Sequence, residues 1–298
     1  MPQRWTELGP HLWVAQSEVY STNSAVFIDR DGAVLIDPAV LDSEIDSIGA
    51  FLSRRGIRAR AIVLTHSHWD HILGPARLKG VPTIAEERFL EAIEGVRGCE
   101  ILRQLAGWMR SQGIERAEPF VIPRPDETFR TSQMLRVGDL SIRLSHAPGH
   151  ADDQLVAYEE SEGVLWAADM LSDLEIPFVS HSLPAYERTL ETLDSLEIGL
   201  LIPGHGAPTA DSHEIRARFD EDRAYLSGLR ERIEPIVCAG GSIEEALDAC
   251  SSLRFRRPEA NADPHRMNVE EAYVEFGGHA EVGPIGWARA LGGTSIET

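Results

Sequence analysis

The feature that most constrains this chain is Thr65-His66-Ser67-His68-Trp69-Asp70-His71, which places three histidines and an aspartate within six residues directly after the apolar segment AIVLT at 61–65. In an extended segment residues i and i+2 point the same way, so His66 and His68 can present imidazoles to one metal ion. If the chain bends into a helix after Trp69, Asp70 and His71 turn away and can address a second ion close by, with Gly74 leaving room at the bend. Imidazole nitrogen and carboxylate oxygen are donors that zinc, iron and manganese accept, and open coordination positions mark a catalytic rather than a structural site. The bland account is a polar surface loop that happens to collect histidines. With 11 histidines in 298 residues, chance produces this pattern in well under roughly one sequence in a hundred.

One loop cannot complete such a site, so further donors must come from elsewhere. Short apolar or alternating segments read as strands. They are the hairpin around Arg30-Asp31-Gly32 in AVFIDRDGAVLID, then AIVLT, LSIRLS at 140–145, VLWAA at 164–168 and GLLI at 199–202. Helical spacing falls between them: 41–54 through Ile45, Ile48 and Leu52; 86–109; and 184–196 through Leu190, Leu193 and Leu196. This alternation predicts an α/β fold. Lone donors follow three of the strands: His150 in Ala147-Pro148-Gly149-His150, Asp169 after VLWAA, and His205 in Pro203-Gly204-His205-Gly206. Donors at the carboxyl ends of neighbouring strands share one sheet edge, where open α/β sheets place their sites. Each alone would read as a surface or satisfied core residue; their joint placement reverses that.

After Pro208 the strand signals stop. Tyr225, Leu226, Leu229, Ile233 and Val237 mark one face of a helix that Pro235 should kink or end. Ser242 and Glu245 form a capping box for another helix, and 268–276 before Gly277 and Gly278 suggests a third. The expected organisation is a core over 1–210 and a helical extension over 211–298 packed on it. The stretch 86–112 is long for a connection and reads either as packing helices or as a lid over a pocket.

Composition narrows the partners. With 28 basic against 48 acidic residues, the formal net charge of -20 would repel phosphate backbones and anionic lipid, so no nucleic acid or membrane partner is expected and a small-molecule substrate is. Cys99, Cys238 and Cys250 lie far apart with no CxxC pair, which suggests neither a disulfide framework nor a thiolate metal site and fits a reducing compartment. Residues 1–13 lack the apolar run of a signal peptide, and no stretch of 18 apolar residues occurs, so the expected location is cytoplasmic.

The ordered set His66, His68, Asp70, His71, His150, Asp169 and His205 resembles the metallo-β-lactamase superfamily pattern HxHxDH, His, Asp, His, over roughly residues 7–210. The resemblance implies a four-layer αββα sandwich with the metals at one edge. It implies that His66, His68 and His150 hold a first ion, that Asp70, His71 and His205 hold a second, and that Asp169 bridges them. Two divalent ions are expected, zinc before iron or manganese. It also implies hydrolysis of an ester, thioester, lactone or related carbonyl by a metal-bridging hydroxide, with Asp70 taking the proton of the attacking water. Asp37, after AVLI, resembles the aspartate that supports the site from behind.

Departures from the branches of that family narrow the choice. His68 stands where the flavodiiron branch has glutamate. Asp169 argues against β-lactam hydrolysis as the principal activity, and Ser172 stands where acyl-homoserine lactonases carry tyrosine. Gly206 and Ala207 replace the Glu-Tyr that glyoxalase II uses for glutathione, and the charge argues against the RNA substrate of ribonuclease Z. The alternatives are a lactonase or β-lactamase-type hydrolase, a one-iron persulfide dioxygenase, and a non-catalytic binding protein on the same fold. Trp69, Phe178 and His181 are candidate pocket residues, Trp69 more as packing and His181 more as a residue beside a helix start. His146, on a strand with Ile142 and Leu144, is expected to support the site or the core rather than ligate. The C-terminal helices could close the pocket or form a homodimer.

Overall fold

The computed structural model describes residues 5–116 and 118–279. Seven strands form the first sheet in chain order: β1 (Trp5–Gly9), β2 (Leu12–Gln16), β3 (Asn23–Asp29), β4 (Gly32–Ile36), β5 (Ala59–Val63), β6 (Thr83–Glu86) and β7 (Glu127–Phe129). Strands β1 to β4 pair antiparallel and β4 to β7 pair parallel. Five strands form the second: β8 (Ser132–Val137), β9 (Leu140–His146), β10 (Leu155–Glu159), β11 (Val164–Trp166) and β12 (Leu200–Ile202). Their spatial order is β12-β11-β10-β9-β8, with only β11 and β12 parallel. The helices are α1 (Asp42–Arg55), α2 (Phe89–Ala92), α3 (Gly95–Gln112), α4 (Leu183–Asp194), α5 (Ser212–Cys238), α6 (Ile243–Cys250) and α7 (Ala262–Glu275).

Strand alternation sorts the side chains into layers. On one face of the first sheet Val26, Ile28, Leu35 and Ile62 pack with Ile45, Ile48 and Phe51 of α1 and Leu105 of α3. On the other, Ala25, Phe27, Val34 and Val63 meet Leu144, Leu155, Trp166 and Ile202 of the second sheet. The outer face of that sheet, Val156, Tyr158 and Leu165, packs with Leu190 of α4, Leu226 and Leu229 of α5, and Val269 of α7. These three clusters between four layers are the αββα sandwich. Each fully buried aliphatic side chain contributes roughly 1.5–3 kcal/mol of transfer free energy, which is why both faces of each sheet must be covered.

The structure departs from the sequence reading in particular places. Residues 86–109 are not one helix. Thr83–Glu86 is an inner strand, and Ile93 and Glu94 separate α2 from α3, which opens on Gly95 at φ 59°. Helix α5 runs through Pro235, whose missing N–H costs one bond to the preceding turn, and ends at Cys238. Helix α7 begins at Ala262, several residues before the apolar spacing that marked it. The capping box of Ser242 and Glu245 is formed. Of the extension expected over 211–298, residues 280–298 lie outside the described residues. No helix of the described residues is long and apolar enough to cross a membrane.

Candidate metal centre

The donors gather where the two sheets meet. Leu155 N–H donates to the Thr65 carbonyl at 2.8 Å and Asn23 N–H to the Gly204 carbonyl at 2.7 Å, which ties the segments carrying His66 and His205 together across the sandwich. After β5 the chain stays extended through His68 and turns into a short 3-10 helix over Trp69–His71. That turn sends Asp70 and His71 to a different side from His66 and His68. Gly74 is required at the bend, because a Cβ there would lie 2.3 Å from the Pro38 carbonyl oxygen. Gly204 is required for a second close approach, since its Cβ would lie 2.1 Å from Asp169 Oδ1.

All seven donors converge in two adjoining groups. His66, His68, His150 and Asp169 offer ligand atoms within 4.8 Å of one another, and so do Asp70, His71 and His205. His150 Nε2 lies 3.0 Å from His68 Nδ1, and His71 Nε2 lies 3.2 Å from His205 Nε2. Asp169 reaches both groups: Oδ2 is 3.4 Å from His66 Nε2, 3.3 Å from His150 Nε2 and 3.4 Å from His205 Nε2, while Oδ1 is 3.3 Å from His71 Nε2. Asp70 Oδ2 stands 3.4 Å from His205 Nε2 and 3.6 Å from His71 Nε2.

The second ring nitrogens are engaged from behind. His71 Nδ1 donates to Asp37 Oδ2 at 3.0 Å, His150 Nδ1 to the Phe178 carbonyl at 2.8 Å, and His205 Nδ1 to the Tyr20 carbonyl at 3.0 Å. These contacts orient the rings and direct Nε2 into the cluster, where it can serve as the ligand atom once an ion displaces any proton it carries. Asp37, wholly buried, also accepts from Thr65 N–H at 2.9 Å and Thr65 Oγ1 at 2.6 Å, so it supports the ligand segment from beneath, as the family resemblance implied.

The residues present fit divalent cations. His66 Nε2 and Asp169 Oδ1 are buried without any hydrogen bond, and ring nitrogens of His68 and His150, and of His71 and His205, face one another at 3.0 and 3.2 Å. Such atoms are costly unless a positive charge lies among them. The electrostatics agree. Burial, with His71 nearby, pushes His66 down to about 3, and burial holds His68 well below the usual imidazole range. Burial also opposes charge on His71 and His205, but carboxylates outweigh it. Asp169, Asp70 and Asp37 hold His71 well above its ordinary value, and Glu175, Asp169 and Asp70 bring His205 up to about 10. Asp169 is held well below the carboxylate range, since His71, His205 and His66 overcome its burial. The cluster is therefore a pocket that stabilises positive charge.

The backbone around it is strained. Tyr20, Ser21, Asp37, Ala39, Ala168 and Leu171 all have φ between 43° and 59°. Non-glycine residues hold that conformation only where the surroundings over-determine it. A cavity of about 540 Å³ opens above the donors. Tyr20, Trp69, Trp108, Ile176, Phe178 and Met267 supply its apolar wall, and Asp70, His68, His150, Asp169 and His205 its floor. Trp69 both packs on Trp108, with ring centroids 4.6 Å apart, and faces the cavity. Helix α3 is thus packing and pocket wall at once.

The other candidates separate. Phe178 lines the cavity and its carbonyl orients His150. His181 pairs with Asp152 at 3.2 Å just before α4 and does not line the cavity. His146 Nε2 engages the Asp152 carbonyl at 2.8 Å and lies outside both donor groups. Sequence reading missed Tyr20, Glu175 and the C-terminal cavity residues Arg257, Asn261 and Met267. For Tyr20 the signal was only the Ser/Thr/Asn-rich text around it, which marks a turn but not where its side chain goes.

The family model of the metallo-beta-lactamase superfamily matches residues 18–205, the span that carries all seven donors. The chain belongs to that superfamily. Among proteins similar to it is the atrochrysone carboxyl ACP thioesterase AgnL7 of Paecilomyces divaricatus, 29% identical over 68% of this chain and 57% of the relative. The acyl-coenzyme A thioesterase MBLAC2 of Gallus gallus is 25% identical over 50% of this chain and 57% of the relative. The chain thus spans somewhat over half the length of these two. The hydroxyacylglutathione hydrolase of Methylococcus capsulatus is 23% identical over 88% of this chain and 94% of the relative. Among solved structures, the inverting sec-alkylsulfatase Pisa1 from Pseudomonas sp. superposes with a TM-score of 0.75 at 16% identity, covering 95% of this chain and 51% of that one. A metallo-beta-lactamase from Pontibacter korlensis gives 0.55 at 19%, covering 73% and 97%. At these identities the likeness is one of fold.

Proposed function

We propose that this chain is a dinuclear metal-dependent hydrolase acting on a thioester, with oxygen esters and lactones as lesser substrates. The observation that carries the reading is the pair of donor groups joined by Asp169 at the floor of a largely apolar cavity. His66, His68 and His150 would hold one ion, Asp70, His71 and His205 the other, and Asp169 both; zinc suits nitrogen and carboxylate donors. Bound there, two divalent ions would polarise the acyl oxygen and bring the pKa of a water toward neutrality.

The chain's own residues do the rest. Asp70 faces the cavity beside both groups and takes the proton of the attacking water. Asp37 keeps His71 in register, and the Phe178 and Tyr20 carbonyls do the same for His150 and His205. The aromatic wall of Trp69, Trp108 and Phe178 seats an apolar acyl group and excludes water from it. Support for a thioester over other acyl donors comes from the relatives, of which two are named thioesterases and a third a hydroxyacylglutathione hydrolase.

The test is metal quantification by mass spectrometry alongside turnover of matched thioester, ester and lactone substrates. The expected result is two zinc ions per chain and fastest turnover of the thioester. A single iron per chain with oxygen consumption would overturn it.

A further inference from the structure

Tyr20 occupies the turn between β2 and β3, with Tyr20 and Ser21 both at φ 51°. This strained pair is held from several sides. Ser17 N–H donates to the Thr22 carbonyl at 2.8 Å and Thr22 N–H to the Val19 carbonyl at 3.0 Å. The buried Glu44 of α1 accepts from Ser17 Oγ at 2.8 Å and from Glu18 N–H at 3.1 Å, and Gly206 N–H donates to the Ser21 carbonyl at 3.1 Å. The Tyr20 carbonyl is spent on His205, and its ring stands edge-on to Trp69 at 6.0 Å. What the turn delivers into the cavity is therefore the phenol. Among the described residues that hydroxyl has no hydrogen-bond partner. A phenol carries its own O–H, so the group it offers to a ligand is a donor.

Glu175 lines the same cavity from the opposite chain segment. Its backbone is fixed at both ends: its N–H donates to Ser172 Oγ at 3.1 Å, and its carbonyl accepts from Arg256 Nη1 at 3.0 Å. Its carboxylate has neither hydrogen bond nor ion pair among the described residues. One cavity is thus lined by a phenol donor and a carboxylate, neither with a hydrogen-bond partner among the described residues and each on a backbone held by hydrogen bonds. Buried polar groups left without a hydrogen-bond partner disfavour a ligand that cannot pair with them.

We propose that Tyr20 and Glu175 are specificity residues that read a secondary amide in the thiol arm of the substrate, the phenol donating to its carbonyl and the carboxylate accepting its N–H. This rests on the thioesterase reading and names the substrate class for it. A plain hydrocarbon arm would leave both groups desolvated and unpaired, so the enzyme selects against it.

The test compares two thioesters of one acyl group, one with N-acetylcysteamine and one with pentane-1-thiol, which matches its length without the amide. The wild-type kcat/KM should favour the amide by about tenfold or more. Tyr20→Phe and Glu175→Leu should each bring that ratio toward one, and Glu175→Gln, which keeps an acceptor oxygen, should restore part of it. A ratio unchanged in Tyr20→Phe and Glu175→Leu overturns the proposal, as does an equal loss on both substrates. The corresponding thioethers, titrated calorimetrically, give the same ratio as binding constants without turnover. If the wild type cleaves neither thioester, the thioesterase reading falls, and the thioether ratio still decides whether the pair reads an amide.

Discussion

Two walls of the same site are held in opposite ways. Residues 65–71 organise themselves: strand alternation directs His66 and His68, the short helix over Trp69–His71 redirects Asp70 and His71, and Asp37 beneath takes three hydrogen bonds from Thr65 and His71. Between Asp169 and α4 there is no regular structure, and polar side chains from far along the chain satisfy the backbone. Arg218 donates to the Leu171 carbonyl at 3.2 Å, Arg256 to the Glu175 carbonyl at 3.0 Å and also to that of Ser172, and Asn261 to that of Leu174 at 3.0 Å. Asn268 pairs with the Pro177 carbonyl and the Val179 N–H, and Glu275 with Ser182 and Leu183. Ser172 Oγ passes the constraint to His205 by donating to its carbonyl at 2.8 Å. The lesson is that the C-terminal helices are part of the site's architecture. A segment without ladder partners still needs every buried polar group paired, and here the partners are on α5, α7 and the turn before α7.

The largest effect is expected inside the self-organised wall. Asp70→Ala should lower kcat on the order of 10³-fold, with an unchanged circular dichroism spectrum. Full turnover in that variant would remove Asp70 from the chemistry. The distant clamp should fail differently, through stability. Arg256 lies 2.7 Å from Asp222 and also holds the Ser172 and Glu175 carbonyls. Burial already pushes Asp222 up to about 7, so Arg256→Met leaves it protonated and strands hydrogen-bond acceptors, and should destabilise by about 2–3 kcal/mol in urea unfolding. A loss below about 1 kcal/mol would mean that the clamp is ornamental, no stronger than an exposed pair.

Asp153 sharpens the comparison, because it follows His150 yet hydrogen bonds Ser67 of the other wall. Burial pushes its carboxyl up to about 6 from 3.8, Glu86 adding to the rise while Ser67 opposes it, and Oδ2 has no partner. The folded chain then holds a proton that the unfolded chain has released. Stability from this group is full below the unfolded value, falls as pH rises to about 6 and is level above, a change on the order of 3 kcal/mol. Asp153→Asn should remove that portion of the slope between about pH 4 and 6; identical slopes in variant and wild type would contradict the assignment. Smallest is Asp37→Asn, which keeps the shape but weakens the hold on His71. It should weaken zinc binding about 10–100-fold in competition with a chelator.

This contrast also explains what could be read from the text. His66, His68, Asp70 and His71 were legible because their geometry follows from local periodicity, and His150, Asp169 and His205 because each stands just past an apolar strand. Strands β3, β4, β5, β9, β11 and β12 were legible for the same reason. Strands β1, β2, β6, β7, β8 and β10 were not: β1 and β8 are edge strands with mixed exposure, β7 is three residues long, and Thr83–Glu86 merges into helical text. Tyr20, Glu175 and Arg256 were beyond reach because their roles depend on backbone strain and partners many residues away, which no local pattern encodes.

The central claim is that two donor groups sharing Asp169 bind two cations. Anomalous diffraction at the zinc edge from crystals of the zinc-loaded protein tests it most directly. The account predicts two peaks, one bonded to His66, His68 and His150 and one to Asp70, His71 and His205, with Asp169 bonded to both. A single peak under saturating zinc, or zinc bound away from these residues, would contradict it.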